Sequence, residues 1–206
     1  MPSKLKRVLA VLNYPRTLPV YLSMLCSKQK DLIKADLARW NEIDQVPFGS
    51  FESMNWYLTY KKEYRNLIQH RFKKPVRTLG GLVHFAIARI LWKPMETLFI
   101  YTDEIGGGFY IQHGFSTIIT AQKIGKNCRV YQQVTIGYKE MERPILEDNV
   151  SVACGAKVLG GITMHAHSMA AAGAVVVKDV PEKAIVGGVP ARVLQYKDET
   201  NLNFQG

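Results

Sequence analysis

The chain has 206 residues, of which 47% are hydrophobic, and its formal net charge is +10 at pH 7. This length accommodates one domain or two small ones, and the composition is that of an ordinary globular protein. The longest apolar run, Leu79–Trp92, contains His84 and Arg89 and is too short to span a bilayer. We also expect no signal peptide, because the apolar stretch near the start is interrupted at Asn13 and Pro15.

The net positive charge comes entirely from the first half of the chain. Residues 1–96 contain 17 Lys/Arg and 7 Asp/Glu, whereas residues 97–206 contain 10 of each. Two interpretations fit the basic half: a solvated helix face, or peripheral contact with an anionic membrane surface. A nucleic-acid partner is not expected, because no recognised nucleic-acid-binding module accompanies the charge.

The three cysteines, Cys26, Cys128 and Cys154, do not have zinc-ligand spacing. Their odd number is typical of small buried residues in a reducing compartment and not of a disulfide framework. We therefore expect a cytoplasmic protein, with peripheral contact with the inner membrane as the extension suggested by charge. No metal site is expected, because no cluster of ligands has a usable spacing.

Residues 1–96 are predicted to form an α-helical N-terminal domain. Apolar residues recur at helical spacing within Leu25–Ile43 and Phe51–Phe72. Turn-forming residues interrupt the pattern at Pro47–Ser50 and again at Lys74-Pro75. The boundary with the next domain is expected near Lys93-Pro94.

A six-residue repeat dominates the second half of the chain. Its apolar positions are Leu146, Val152, Val158, Met164, Ala170 and Val176, and an earlier series contains Ile105, Ile111, Ile118, Ile124, Val130 and Ile136. A strand alternates by two and a helix repeats every 3.6 residues, so a step of six favours a parallel β-helix of hexapeptides. Three hexapeptides would complete one coil. We predict a mainly β fold over residues 97–194, followed by an irregular tail over residues 195–206.

One insertion interrupts this repeat. Ile136 and Leu146 are ten residues apart, so Tyr138–Arg143 should form a loop of about four extra residues. Loops that leave the wall of a solenoid often bind ligands.

Four motifs in this region resemble the serine acetyltransferase branch of the hexapeptide acyltransferases. They are Ile105–His113 (IGGGFYIQH), Gln133–Gly137 (QVTIG), Gly155–Gly160 (GAKVLG) and Gly188–Arg192 (GVPAR). The resemblance covers about residues 99–194 and implies a left-handed parallel β-helix. It also implies a homotrimer or a dimer of trimers, active sites between neighbouring coils, and acetyl-CoA as the acyl donor.

The resemblance assigns the catalytic role to His113. Histidine titrates near neutrality, so its imidazole can accept the proton of an attacking hydroxyl and return it to the CoA thiolate. The alternative is that His113 is a satisfied residue of the solenoid wall. By the same matching, the acetyl-CoA groove is lined by small residues, with Gly137 near the thioester and two basic residues near the CoA phosphates. These predicted donor-site residues are Gly137, Ala153, Cys154, Gly155, Ala171, Ala172, Lys178 and Arg192.

The sequence departs from the family at the acceptor side. Leu98 occupies the position of the carboxylate that orients the histidine, so Asp103, Glu104 or a backbone carbonyl would have to replace it. Gln112 stands in place of an aspartate, and an Arg-His pair falls on Glu142 and Arg143.

These departures resemble the polysaccharide-modifying relatives of the family, whose acceptors need no counter-charges. The predicted acceptor-site residues are Tyr110, Gln112, Gln132 and Arg143. The preferred prediction is therefore an acetyl-CoA-dependent O-acetyltransferase that acts on a saccharide of a bacterial surface polysaccharide. The alternatives are a serine O-acetyltransferase of cysteine biosynthesis and a non-catalytic β-helix scaffold.

Overall fold

The computed structural model of the chain describes residues 4–73 and 79–198. It separates a helical unit from a unit of short strands, and the division falls between Glu96 and Thr97. The helices are α1 (Lys4–Val11), α2 (Tyr14–Cys26), α3 (Lys30–Asp44), α4 (Ser50–Tyr60), α5 (Lys62–Lys73) and α6 (Leu79–Leu91). The strands are β1 (Leu98–Ile100), β2 (Glu104–Ile105), β3 (Tyr110–Ile111), β4 (Thr117–Ile119), β5 (Lys123–Ile124), β6 (Arg129–Val130), β7 (Thr135–Gly137), β8 (Ile145–Leu146), β9 (Ser151–Val152), β10 (Lys157–Leu159), β11 (Thr163–Met164), β12 (Met169–Ala170), β13 (Val175–Val176), β14 (Ala184–Gly187) and β15 (Arg192–Tyr196).

The helical character predicted for the first half is confirmed, but two predicted segments each cross a helix boundary. The segment Leu25–Ile43 begins in α2 and continues in α3. The segment Phe51–Phe72 is broken at Lys61, whose backbone is extended, with φ −121° and ψ 98°. The apolar spacing continues through this break because α4 and α5 bury aromatic side chains in the same core.

These aromatic side chains form the core of the helical unit. The rings of Trp40, Tyr57 and Tyr64 lie with their centroids 5.1 to 5.4 Å apart. Beside them, the buried Arg71 guanidinium donates two hydrogen bonds to the buried Asp36 carboxylate, at 2.9 and 3.0 Å. Burial, reinforced by the negative charge of Asp36, raises the pKa of the Tyr64 hydroxyl. The core therefore combines apolar packing with one fully enclosed ion pair.

The first two helices expose a row of apolar side chains. On α1, Leu5 and Val8 are 69% and 66% exposed, and on α2, Leu18 and Leu22 are 49% and 52% exposed. Within residues 4–73 and 79–198, each helix is either too short or too polar to span a membrane. Peripheral contact with a membrane surface stays a prediction from charge.

The strands form a parallel solenoid of about five coils, which confirms the β-helix predicted from the six-residue repeat. The first four coils each contribute one strand to each of three parallel sheets, the last coil contributes β13 and β14, and β15 is added antiparallel to β14. Sheet 1 contains β1, β4, β7, β10 and β13; sheet 2 contains β2, β5, β8 and β11; sheet 3 contains β3, β6, β9, β12, β14 and β15. The left-handed sense implied by the resemblance stays a prediction.

The apolar positions of the later coils fill the interior. Leu146, Val152, Val158, Met164, Ala170 and Val176 are each at most 2% exposed. The parallel register pairs Val152 with Ala170 and Val158 with Val176, each eighteen residues apart. Burial of these aligned aliphatic side chains along three columns, one on each sheet, stabilises every coil against its neighbours.

Two features of the solenoid differ from the prediction. Ile118 is 41% exposed, and the residues that enter the interior are Thr117 and Ile119 on either side of it. The step from Ile111 to Ile118 is seven residues, so Ile118 falls on the outer face of β4. The predicted irregular tail also begins too early, because β15 extends to Tyr196.

We predict that Asp36→Ala will destabilise the protein by about 3–5 kcal/mol, because it leaves the Arg71 guanidinium buried without its partner. Urea unfolding followed by circular dichroism measures the change. The control is Glu42→Ala, which removes the exposed Arg39–Glu42 pair and should cost about 1 kcal/mol or less. Equal costs for the two variants would contradict the structural importance assigned to the buried pair.

Candidate active site

Three columns of turns join the three sheets, and the predicted site residues fall mainly on two of them. Chain segments that pass from sheet 3 to sheet 1 form the His113 corner, which contains residues 112–116, 131–134, 153–156 and 171–174. Segments that pass from sheet 1 to sheet 2 form the hairpin corner, which contains residues 138–144. Segments that pass from sheet 2 to sheet 3 form the third corner, which contains residues 147–150 and 165–168.

His113 lies on a bulge of its corner. The residue pair Ile111 and Val130 is nineteen residues apart, whereas Ile118 and Thr135 are seventeen apart. The first coil therefore has two more residues at this corner than the second coil. Because both flanking strands stay in register, the two extra residues must project outward.

The bulge holds His113 in an uncommon backbone conformation. The Gly114 N–H donates to the Gln112 carbonyl at 2.8 Å, which closes a γ-turn on His113. His113 itself has φ 65°, a left-handed conformation that is uncommon for residues other than glycine. Such strained residues cluster at ligand and active sites, where the surrounding structure maintains them.

The His113 side chain is exposed, and no described residue of the chain orients it. Among residues 4–73 and 79–198, no side chain or backbone group forms a hydrogen bond or ion pair with its ring. Leu98, at the position of the family's orienting carboxylate, is buried in β1. The candidates Asp103 and Glu104 are exposed and are not paired with His113.

Below the bulge, the corner presents small residues in register. The Ala153 N–H donates to the Ala170 carbonyl and the Ala171 N–H to the Val186 carbonyl, which fixes Ala153 and Ala171 in one column. In the adjacent column, the Gly155 N–H donates to the Gln132 carbonyl at 3.0 Å and the Gly173 N–H to the Cys154 carbonyl at 2.9 Å. The structure thus brings together the predicted donor-site residues Ala153, Cys154, Gly155, Ala171 and Ala172.

Glycine avoids backbone strain at two positions of this corner. Gly155 and Gly173 have φ 71° and 70°, and a Cβ at Gly173 would meet no atom within 4 Å. The surface beside Gly173 is therefore open, and Ala172 next to it is exposed. An extended apolar or amide-containing chain could lie along this column.

The predicted acceptor-site residues occupy different environments. Gln112 and Gln132 are half-buried at the His113 corner, and the side-chain Oε1 of Gln132 is buried without a hydrogen-bond partner. Tyr110 is only 2% exposed and packs under the Arg129 guanidinium, 5.6 Å from its ring centroid. Gln132 therefore places a half-buried amide at the His113 corner, whereas Tyr110 is enclosed.

Gly137 and Arg143 lie at the hairpin corner, at the other end of β7 from the His113 corner. Register differences of 22 and 18 residues on either side confirm an insertion of four residues there. Lys139 and Glu142 exchange two backbone hydrogen bonds of 3.1 Å around a two-residue turn. The Arg143 guanidinium is stacked on the Tyr138 ring, 5.7 Å from its centroid.

The hairpin is folded back onto the next coil. A Cβ at Gly160 would lie 3.1 Å from Cβ of Lys139, and a Cβ at Gly161 would lie 2.3 Å from the Glu142 carboxylate. Glycine at these two positions lets the hairpin pack closely against the solenoid wall. The Arg143 side chain is thereby held at a defined place along the edge of sheet 1.

The two predicted phosphate-binding residues are separated. Arg192 is exposed at the start of β15 and pairs with Gly187, which stacks on Ala171 of the His113 corner. Lys178 is also exposed but follows β13, at the corner between sheets 1 and 2. Within one chain, only Arg192 lies on the side of the small-residue column.

The third corner contains a histidine–carboxylate pair that the sequence analysis did not identify. His165 Nδ1 lies 3.2 Å from Glu147 Oε1, and the other Glu147 oxygen accepts the Ala166 N–H at 2.9 Å. Their separation of eighteen residues equals one coil, which could have revealed the pair.

Nearby Cys128 is buried, and burial raises the pKa of its thiol to about 12. Among the described residues, no group of three or more metal-binding side chains occurs.

The chain is similar to known serine acetyltransferases. No family model matches the chain. The serine acetyltransferase of Staphylococcus xylosus is 39% identical over 173 residues, which cover 79% of this chain and 76% of that protein. The Bacillus licheniformis enzyme is 42% identical over 110 residues, and the chain spans about half the length of such Bacillus relatives.

Solved structures support the same fold. The serine acetyltransferase of Neisseria gonorrhoeae has a TM-score of 0.65 at 22% identity, with 97% of this chain and 83% of that one covered. A serine acetyltransferase in complex with cysteine gives a TM-score of 0.62 at 21% identity, with 94% and 86% covered. Because the identity to Staphylococcus xylosus extends over most of both sequences, the chain belongs to the serine acetyltransferase family.

Proposed function

We propose that the protein is an acetyl-CoA-dependent O-acetyltransferase and that serine is its acceptor. The observation that carries the proposal is the 39% identity to a serine acetyltransferase over most of the chain. The position of His113 on an outward bulge beside a small-residue column supports the same chemistry. Structural relatives include serine acetyltransferases in complex with CoA and with serine, which is consistent with both substrates.

The proposed reaction begins at the acceptor hydroxyl. The neutral His113 imidazole accepts the hydroxyl proton while the oxygen attacks the thioester carbonyl, because an alcohol is a poor nucleophile until its proton leaves. The tetrahedral intermediate then collapses with cleavage of the C–S bond. The imidazolium returns the proton to the departing thiolate, so the products are the O-acetyl ester and the free CoA thiol.

The donor would lie along the His113 corner. Its pantetheine arm needs a shallow surface with short side chains, which Ala153, Ala171 and Ala172 offer. The half-buried Gln132 side chain lies at the same corner, and its amide could exchange hydrogen bonds with that arm or with the acceptor. The Arg192 guanidinium, at the end of the same column, is the cation best situated for the CoA phosphates.

Serine requires a cation for its α-carboxylate, and Arg143 is the proposed partner. Its guanidinium face is stacked on Tyr138 and, among the described residues, it forms no ion pair. The edge of a stacked guanidinium can still donate two parallel hydrogen bonds to a carboxylate. The preferred saccharide acceptor of the sequence analysis gains no support from the relatives, and the serine alternative fits them better.

A second copy of the chain is part of this proposal. In one chain His113 lies before β4 and Arg143 lies after β7, so the two residues are at opposite ends of the strands of sheet 1. A homotrimer would allow the hairpin of one copy to approach the His113 corner of the next. The group that orients the His113 ring could then also come from the neighbouring copy.

We predict that His113→Asn will lower kcat about 10²- to 10⁴-fold, which is the usual contribution of a general base. Asparagine tolerates positive φ, so the bulge should persist. Release of CoA thiol from acetyl-CoA in the presence of serine measures the rate. The control is His165→Asn at the third corner, which should change kcat less than about twofold. Unchanged turnover in His113→Asn would remove the proposed base.

A second prediction concerns the donor column. Ala172→Trp places an indole on the exposed column and should raise KM for acetyl-CoA at least about tenfold, because the side chain occupies the space that the donor needs. Steady-state kinetics with varied acetyl-CoA measure the change. Ala166→Trp is the matched control, since Ala166 also precedes a left-handed residue, His167, on another corner. If both variants raise KM equally, the donor does not follow the His113 corner.

A third prediction separates serine from a saccharide. Arg143→Ala should raise KM for serine about tenfold or more, which corresponds to loss of one charge-assisted hydrogen-bonded contact. Lys139→Ala, which removes another cation of the same hairpin, should have little effect. Thiol release is measured with L-serine and with a panel of neutral mono- and oligosaccharides. Activity with saccharides alone, unaffected by Arg143→Ala, would overturn serine as the acceptor.

A further inference from the structure

The helical unit contains a cavity that the proposed reaction does not use. Its volume is about 360 Å³, and it is bounded by α1, the start of α2, the segment before α4, and α4 itself. Six side chains define its chemistry: Arg7, Tyr14, Phe48, Glu52, Asn55 and Trp56. This volume is near the lower limit for ligand pockets, so a single amino acid fits it better than a nucleotide.

The floor and walls of the cavity combine aromatic rings with polar groups. Trp56 is 8% exposed, and its ring packs edge-on against Phe48 with centroids 5.9 Å apart. Asn55 is 2% exposed. Its Oδ1 accepts a hydrogen bond from the Thr17 hydroxyl at 2.7 Å, and its Nδ2 donates one to the Ala10 carbonyl at 2.9 Å. The amide retains a second N–H that neither contact uses. The cavity is therefore a preformed aromatic pocket with a polar group at its base.

Two opposite charges lie at the rim. The Arg7 guanidinium is stacked on Phe48, 5.1 Å from the ring centroid. Glu52 is exposed on the first turn of α4. Within the described part of the chain, neither residue forms an ion pair or a side-chain hydrogen bond. Since stacking occupies only the guanidinium face, the edge N–H groups of Arg7 can still bind a carboxylate.

We propose that this cavity binds a free amino acid with an aromatic or other large apolar side chain. The Arg7 guanidinium binds its α-carboxylate, the Glu52 carboxylate binds its α-ammonium, and the side chain enters between Tyr14, Phe48 and Trp56. An aromatic pocket that carries one cation and one anion at its rim favours a zwitterion, because a neutral apolar molecule cannot form a charge-assisted hydrogen bond with either group. The site is independent of His113 and of the acetyl acceptor.

Isothermal titration calorimetry of the full chain with L-tryptophan, L-phenylalanine and L-methionine, in the absence of acetyl-CoA, tests the proposal. We expect saturable binding of at least one of them. N-acetyl-L-tryptophan, which lacks the ammonium, and L-tryptophan amide, which lacks the carboxylate, should bind at least tenfold more weakly than L-tryptophan if that amino acid is the ligand. Glycine, which lacks the side chain, should not bind.

Substitutions at Arg7 and Glu52 test which residue binds each charged group of the amino acid. Arg7→Gln and Glu52→Gln should each weaken binding at least tenfold, and Glu52→Gln should abolish discrimination against N-acetyl-L-tryptophan. Lys28→Gln and Asp31→Asn, which alter exposed charges outside the cavity, should leave the affinity unchanged. Thermal unfolding confirms that each variant is folded. The absence of binding for all three amino acids overturns the proposal, as does binding that neither cavity variant weakens. A change of oligomeric state in Arg7→Gln, measured by sedimentation, would instead assign the cavity to an interface and also overturn it.

Discussion

Register between successive coils is the constraint on which the solenoid depends. At the third corner, Asn127, Asn149, His167 and Lys183 all have φ between 54° and 61°. Each of these residues donates its backbone N–H to a carbonyl of the previous coil, at 2.8 to 3.0 Å. A corner that repeats one backbone conformation cannot absorb extra residues, because any shift would move the interior side chains out of their column. Inserted residues must therefore leave the wall, and they do so at His113 and at the hairpin.

The two insertions have different physical consequences. The bulge at His113 is two residues long, and a strained backbone projects its exposed side chain outward from the wall. The hairpin at Tyr138–Arg143 is longer and needs support, which it obtains by packing against Gly160 and Gly161. Both insertions are adjacent to sheet 1 but at opposite ends of its strands. Under the proposed function, a site that uses both would need a second copy, and that copy could supply the orienting group that His113 does not have among residues 4–73 and 79–198.

The solenoid could be predicted from the sequence because burial repeats with the coil. A hydrophobic column of aligned residues leaves a direct trace in the order of amino acids, as at Val152 and Ala170. The trace failed at Ile118, where the extra residues of the bulge lengthen the step and an apolar residue falls on the outer face. The Glu147–His165 pair also follows the eighteen-residue period of the coil. That period relates charged partners as well as apolar ones, so it could have predicted the pair. The contacts at Arg143 had no local signal, because they depend on how the hairpin folds.

The basic character of the first half also acquires a different meaning in the structure. Arg65 is on the first turn of α5, and its guanidinium reaches the C-terminal end of α4. It donates to the carbonyls of Leu58, Thr59 and Lys93 at 2.6, 2.9 and 3.1 Å. Partial burial lowers its pKa, with a further contribution from Arg16. Helix ends leave carbonyls without partners, so a cation at this position stabilises the junction of two helices. Together with the enclosed Arg71, it shows that part of the positive charge serves the interior of the helical unit. The charge count alone therefore overstates the basic surface available to a membrane, and the exposed leucines of α1 and α2 are the stronger reason to expect a partner on that face.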